Sequence, residues 1–221
     1  MNGQSDTHAV IHPLYAVPLL QSQFPDSERM NADLARLFLQ WEAQGDIHRD
    51  STLRDTQHGI FESDFYLHRR KETPVRMLFD FIHQTLLSFI QGINQYPPEQ
   101  MSNLDFDMHS WFHVTRKGGF QCAHNHPNAS WSAIYCVTPG EPVSPLGGSV
   151  RFHDPRTGSD MYRDPANDHM QIPYRLGSWQ LNHKAGQLIG FPSYLLHEVL
   201  AYDGEQPRIT VALNAWTRWK R

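Results

Sequence analysis

Hydrophobic residues recur along this chain with two different periods, and the change falls near residue 108. From Asp26 and Ser27, both N-cap types, Met30, Leu34, Leu37, Phe38 and Trp41 return every three or four positions. The run reaches about Gln44 and is closed by Gly45, so an amphipathic helix is predicted. Thr73 and Pro74 form an N-cap and first-turn pair. From Val75 to Ile93, the residues Leu78, Phe81, Ile82, Leu86, Phe89 and Ile90 make a second, broader stripe, which Tyr96-Pro97-Pro98 ends. Stripes this wide predict helices lying on a sheet.

Beyond residue 108 the period falls to two. Short strands are predicted at His109–Thr115, Gly119–His126, Trp131–Val137, Ser149–His153, Ser178–His183, Gln187–Phe191, Leu195–Ala201 and Arg208–Trp216. Clusters of Gly, Pro and Asp separate them. Strands at this spacing point to a closed or sandwich-like β fold. Helices followed by strands, with no linker between, predict one α+β, mainly β domain over 1–221. In it, residues 1–108 are a helical N-terminal support and 109–221 the β core. The polar, proline-containing stretch Asp154–Arg175 is too long for a turn and predicts an excursion over the barrel mouth.

Composition narrows the function classes. A hydrophobic share of 39% over 221 residues excludes a disordered chain. The net charge of −4 offers no basic surface for nucleic acid or an anionic membrane. Its longest basic run, His68-Arg69-Arg70-Lys71, reads as a solvated turn. No apolar window is long enough to span a membrane, and Met1 to Thr7 lacks the apolar core of a signal peptide. Cys122 and Cys136 are too few for a disulfide framework, so a cytoplasmic setting is expected, with Cys122 a buried, inert thiol.

Candidate chemistry centres on His124-Asn125-His126-Pro127. Residues two apart on a strand share a face, so both imidazoles can aim at one point. Pro127 cannot join a ladder and places them at a strand mouth. His197 follows the turn Phe191-Pro192-Ser193 and offers a third imidazole. Neutral imidazoles suit iron, zinc, copper or nickel. Further on, Arg208-Ile209-Thr210-Val211-Ala212-Leu213-Asn214 alternates, which groups Arg208, Thr210, Ala212 and Asn214 on one face. An inward arginine needs a partner, and a carboxylate suits its fork. Taken alone, Arg208 is equally a surface residue at a strand start; its place eleven residues after His197 favours the inward reading.

These residues together resemble the iron(II)- and 2-oxoglutarate-dependent oxygenases, in particular a bacterial and phage-associated branch. The resemblance rests on Trp111, His124 to Pro127, Ser132 to Cys136, Asp154-Pro155-Arg156, Phe191 to His197 and Arg208 to Asn214. It covers about Trp111 to Trp216, and extends weakly to the N-terminus through Pro13-Leu14-Tyr15 and the helices. It implies a double-stranded β-helix, a jelly-roll or cupin-like barrel with helices packed on the larger sheet. It further implies iron(II), with 2-oxoglutarate and dioxygen as co-substrates and an organic substrate whose hydroxylation is the default outcome. By the same resemblance His124 and His197 are metal ligands. His126 stands where most of the superfamily has Asp or Glu, so its ligation is an open point. Arg208 and Thr210 would hold the distal carboxylate of 2-oxoglutarate, with Tyr135 as a third contact. Asn214 and Arg156 are groups of the same pocket or of the barrel end.

Two other readings compete. Gly118 before His124-x-His126, and Gly186 before Pro192 and His197, match much of a cupin enzyme that does not use 2-oxoglutarate. That reading lacks the usual Glu after His126 and gives no role to Arg208. A non-catalytic, metal-stabilised binding module is the other, carried only by the six tryptophans. Metal-assisted hydrolysis is weaker, since no Glu stands beside the histidines.

Overall fold

A computed structural model describes residues 10–50, 52, 54–159 and 162–220. The polar Met1–Thr7 segment and residues 160–161 of the long excursion lie outside them. Two main helices, α1 (Glu28–Ala43) and α2 (Thr73–Asn94), are followed by a short turn of helix, α3 (Pro98–Met101). The strands are β1 (Leu20–Gln23), β2 (Gln57–Glu62), β3 (Leu104–His124), β4 (Trp131–Thr138) and β5 (Val150–Phe152). They continue as β6 (Trp179–Leu181), β7 (Gln187–Pro192), β8 (His197–Val199) and β9 (Arg208–Trp219). All pair antiparallel in the order β1-β7-β4-β9-β3-β8-β5-β6, with β2 attached to β3. This curled, mainly β sheet is the double-stranded β-helix type of architecture that the resemblance implies.

The curl is made by β3. Its first part pairs with β9 from Leu104↔Trp219 to Thr115↔Arg208, and its end pairs with β8 at Gln121↔Val199 and His124↔His197. One strand therefore belongs to both facing layers. The two strands predicted at His109–Thr115 and Gly119–His126 are this single element. Gly118-Gly119 bends it instead of breaking it: Gly118 has φ +82, and a Cβ on Gly119 would lie 2.6 Å from the Gly59 carbonyl. Only glycine permits that approach beside the register shift in β2.

Both helices form as their stripes predict. Met30, Leu34, Phe38 and Trp41 of α1 are buried with Val75, Leu78, Phe79, Ile82 and Leu86 of α2. They meet Phe112 and Val114 of β3, Tyr135 and Val137 of β4, and Ile209, Val211 and Leu213 of β9. Each fully buried Leu or Ile contributes roughly 1.5–3 kcal/mol, so this layer anchors the large sheet. Helix α2 starts one residue earlier than the cap reading, with Glu72 as N-cap and Thr73 already helical. It ends where Gln95 turns left-handed at φ +55. The consequence for the site is parity. With odd residues of β9 on the helices, Arg208, Thr210 and Ala212 face the barrel interior.

Two expectations change. The first 108 residues are not a purely helical support, because β1 pairs with β7 and β2 with β3. The described residues of the excursion 154–175 line neither pocket at the histidines. They instead join Leu14–Val17, Phe152 and Trp179 around an apolar pocket of about 200 Å³ beside the smaller sheet. Asp154 ties it down, accepting from the Arg156 guanidinium at 2.9 and 2.7 Å and from Gly177 N–H at 3.0 Å. Burial raises the Asp154 carboxyl pKa, but these donors outweigh it and hold the group below the usual carboxylate range.

Candidate metal centre

Antiparallel register brings two imidazoles side by side at the end of the barrel. His124 closes β3, His197 opens β8, and the two residues are paired directly. Their ring centroids stand 4.4 Å apart. The chain leaves β3 after His124, and the His126 N–H donates to the Ser193 carbonyl at 2.9 Å, which seats the third ring. His126 lies 5.1 Å from His124 and 5.4 Å from His197 by centroid. One ring nitrogen from each of the three can be chosen so that all lie within 4.8 Å of one another.

Hydrogen bonds select the tautomers. His124 Nδ1 lies 2.8 Å from the Cys122 carbonyl, and His197 Nδ1 lies 2.9 Å from the Leu195 carbonyl. A carbonyl only accepts, so both Nδ1 atoms carry protons and both Nε2 lone pairs are left for a metal. Burial keeps the rings neutral. It pushes His197 down to about 3 and His126 to about 4, each helped by the neighbouring histidines. His124 is lowered as well, mainly by burial, against the pull of the Cys122 carbonyl. A set of neutral nitrogen donors fits iron, zinc, copper or nickel.

Beneath the rings runs a polar chain that sequence reasoning missed. The imidazole of His113, inward on β3, has Nε2 2.7 Å from Glu62 Oε2 and 3.0 Å from Trp111 Nε1. One nitrogen cannot both donate to Glu62 and accept from Trp111. Glu62 also binds Arg54, which keeps it anionic, so Nε2 donates to the carboxylate. Burial, with Arg208 and Arg54 nearby, pushes His113 down to about 3 and keeps it neutral. On the other wall Ser132 Oγ lies 2.8 Å from Ser193 Oγ and 2.8 Å from Asn214 Oδ1. Ser193 thus holds His126 through its carbonyl and is held by Ser132.

Arg208 and Thr210 stand on the inward face of β9, 3% and 2% exposed. Arg208 Nη2 has no hydrogen-bond partner among the described residues, and burial lowers the guanidinium's pKa. An unpaired buried cation is costly, and the acceptor that would relieve it is an anion. Gly148 closes over its stem at φ +67, where a Cβ would meet Arg208 Cδ at 2.9 Å. Between the histidines and Arg208, the pocket is walled by Phe191, Ile134, Ala212 and Thr210.

Tyr135 does not join this group. It lies among the odd residues of β4, packed under the helices, where its hydroxyl donates to Asn31 Oδ1 at 2.8 Å. The residue shares a strand with pocket-lining Ser132 and Ile134 but has the opposite parity. Arg156 also lies elsewhere, on the Asp154 clamp. Cys122 is exposed, contrary to the buried thiol expected, and Cys136 is the buried one. Above the histidines the mouth is an open pocket of about 310 Å³. Arg54, Gln57, Glu62 and Phe65 line it together with Trp111, Gln121, Asn125 and Asn214. Its outer wall is therefore the segment around β2. The only sequence signal for that wall was the mixed polar and aromatic run Arg54–Phe65, which has no periodic signature.

The chain is similar to known proteins in sequence and in fold. The family described as "Putative 2OG-Fe(II) oxygenase" matches residues 109–214. No protein of curated function matches the sequence. A Pseudomonas putida prolyl-4-hydroxylase structure is similar at 17% identity and TM-score 0.60, over 89% of this chain and 91% of its own. A Trichoplax adhaerens prolyl hydroxylase, solved with a hypoxia-inducible-factor peptide, aligns at 12% identity and TM-score 0.56. That match covers 90% of this chain and 83% of the other. HygX from Streptomyces hygroscopicus, solved with nickel and 2-oxoglutarate, aligns at 11% identity and TM-score 0.53, with 90% and 83% covered. At these identities the structural likenesses speak for the fold.

Proposed function

We propose that this chain is a 2OG-Fe(II) oxygenase, the family that residues 109–214 match, and that His124, His126 and His197 hold its iron(II). Arg208 and Thr210 then hold the distal carboxylate of 2-oxoglutarate. The observation that carries this reading is a buried arginine with an unsatisfied Nη2, set on the same pocket as three convergent neutral imidazoles. When bound, iron(II) supplies the coupling of 2-oxoglutarate decarboxylation by dioxygen to oxidation of an organic substrate, here proposed to be hydroxylation.

The chain's own residues supply the rest. Nδ1 protons on His124 and His197 fix which nitrogen faces the ion. His126 in place of a carboxylate adds no negative charge, which leaves the bound ion more positive and favours a dianionic co-substrate. Phe191, Ile134 and Ala212 keep water from the space between metal and Arg208, where a guanidinium–carboxylate bond gains strength. The substrate is placed at the mouth, between Phe65, Trp111 and the amides of Gln57, Gln121 and Asn125. No described helix is long and apolar enough to cross a membrane. The free Cys122 and Cys136 fit a reducing, cytoplasmic setting.

Anaerobic titration with iron(II) and 2-oxoglutarate tests the assignment through the visible charge-transfer band of the chelate. The band develops at millimolar keto acid in wild type and is strongly weakened in Arg208→Ala. An Arg208→Ala protein that binds 2-oxoglutarate as wild type does refutes the assignment.

A further inference from the structure

Arg208 separates two spaces. Toward the histidines the pocket is narrow, walled by Phe191, Ile134, Ala212 and Thr210. On its other side a cavity of about 310 Å³ opens, lined by Ser149, Asn182, His183 and the Pro- and Gly-rich turn from Pro139 to Gly148. Turn and cavity are held in place by Asp203, which accepts from the backbone N–H groups of Val143 and Ser144 at 2.9 Å each.

His183 is 6% exposed, and among the described residues neither of its ring nitrogens has a hydrogen-bond partner. With Arg208 Nη2, three orphaned nitrogens therefore belong to two residues on one cavity wall. Each buried polar atom left unmade costs about 1–3 kcal/mol. Burial and the adjacent Arg208 push His183 down to about 3. The Gln187 backbone opposes that shift without reaching hydrogen-bond geometry. A neutral imidazole still carries one N–H, and beside a guanidinium the acceptor that satisfies both is an anion with more than one oxygen.

We propose that His183 is a binding residue for the carboxylate of the keto acid that lies away from the metal, donating its ring N–H beside the Arg208 guanidinium. This rests on the function proposed above. It adds a contact from the turn after β6, and it draws the distal end of the co-substrate toward the larger cavity. A keto acid lacking the second carboxylate reaches neither group.

The test uses zinc-loaded full-length protein, which binds keto acids without turning them over. Calorimetric titrations with 2-oxoglutarate and with pyruvate compare wild type, His183→Phe and His183→Gln. Phe fills the ring's volume without a donor, and Gln returns an amide N–H. His183→Phe is expected to weaken 2-oxoglutarate on the order of tenfold while changing pyruvate less than about twofold. Gln is expected to recover part of the loss. If His183→Phe does not fold, His183→Ala replaces it. Equal weakening of both acids, or unchanged 2-oxoglutarate affinity, removes His183 from the site and leaves the proposed function standing. Wild-type protein that binds neither acid overturns the proposed function, and the role of His183 with it.

Discussion

His124 and His197 lie directly opposite each other on neighbouring antiparallel strands, with ring centroids 4.4 Å apart and both Nδ1 atoms turned to backbone carbonyls. The metal geometry is thus written into strand register, and the side chains need little freedom to complete it. Replacing either histidine by Ala is expected to abolish stoichiometric iron(II) binding while leaving the fold intact. Metal analysis after anaerobic loading, with circular dichroism as the control, checks this. His126→Asp is expected to retain iron, since a carboxylate is an equally good donor for that ion. Unchanged iron content in His126→Ala would place His126 outside the coordination sphere.

Arg208 is costly to the protein without its anion. Arg208→Met keeps the apolar stem and deletes the buried charge, so the ligand-free variant is expected to be more stable than wild type, by about 1 kcal/mol or more. Thermal unfolding would show the higher midpoint and, on adding 2-oxoglutarate, none of the wild-type shift. A lower midpoint in Arg208→Met would mean that the guanidinium is satisfied in the free protein.

Gly148 takes φ +67, and a Cβ added there would meet the Arg208 stem. Gly148→Ala is expected to cost about 1–2 kcal/mol from the left-handed backbone and to weaken 2-oxoglutarate by displacing the guanidinium. Denaturant melts and the anaerobic titration report the two effects separately. An Ala variant with wild-type affinity would show that the turn does not position Arg208.

Tyr135→Phe separates the helix side of β4 from the pocket side. Losing the bond to Asn31 is expected to cost about 1 kcal/mol of stability. Affinity for 2-oxoglutarate should not change. A Tyr135→Phe protein with weakened keto-acid binding would restore the tyrosine to the site.

Acid should unfold the metal-free protein early. His113, His183 and His197 are buried and held neutral to about 3, whereas the unfolded chain protonates them near 6.5. Between those values the unfolded state binds more protons, so stability is full above about pH 6.5 and falls as pH drops toward 3. Each such group costs up to about 1.4 kcal/mol per pH unit in that window. Melting midpoints measured from pH 7.5 to 4.5 are expected to fall progressively, and a flat profile would contradict the burial of these rings.

Period and spacing already carried much of this molecule. The stripes at Met30–Trp41 and Leu78–Ile90 bury the faces they predict, because an amphipathic helix has one way to hide its apolar side. The alternation from Arg208 to Asn214 likewise assigned the inward face, since Ile209, Val211 and Leu213 belong under the helices. His124, His126 and His197 were visible through residue type and local spacing alone. Parity on β4 was not visible: Tyr135 sits in a run with no exposed position, so alternation gave no sign of which face met the helices. Long-range pairing was equally hidden. That Gly118-Gly119 bends one strand, that β2 walls the mouth with Glu62 beside His113, and that His183 reaches the cavity of Arg208 all depend on contacts between distant segments. Local propensity reports what a residue prefers beside its sequence neighbours. Packing chooses which remote neighbours it meets, and that choice completes both the pocket and its unsatisfied charge.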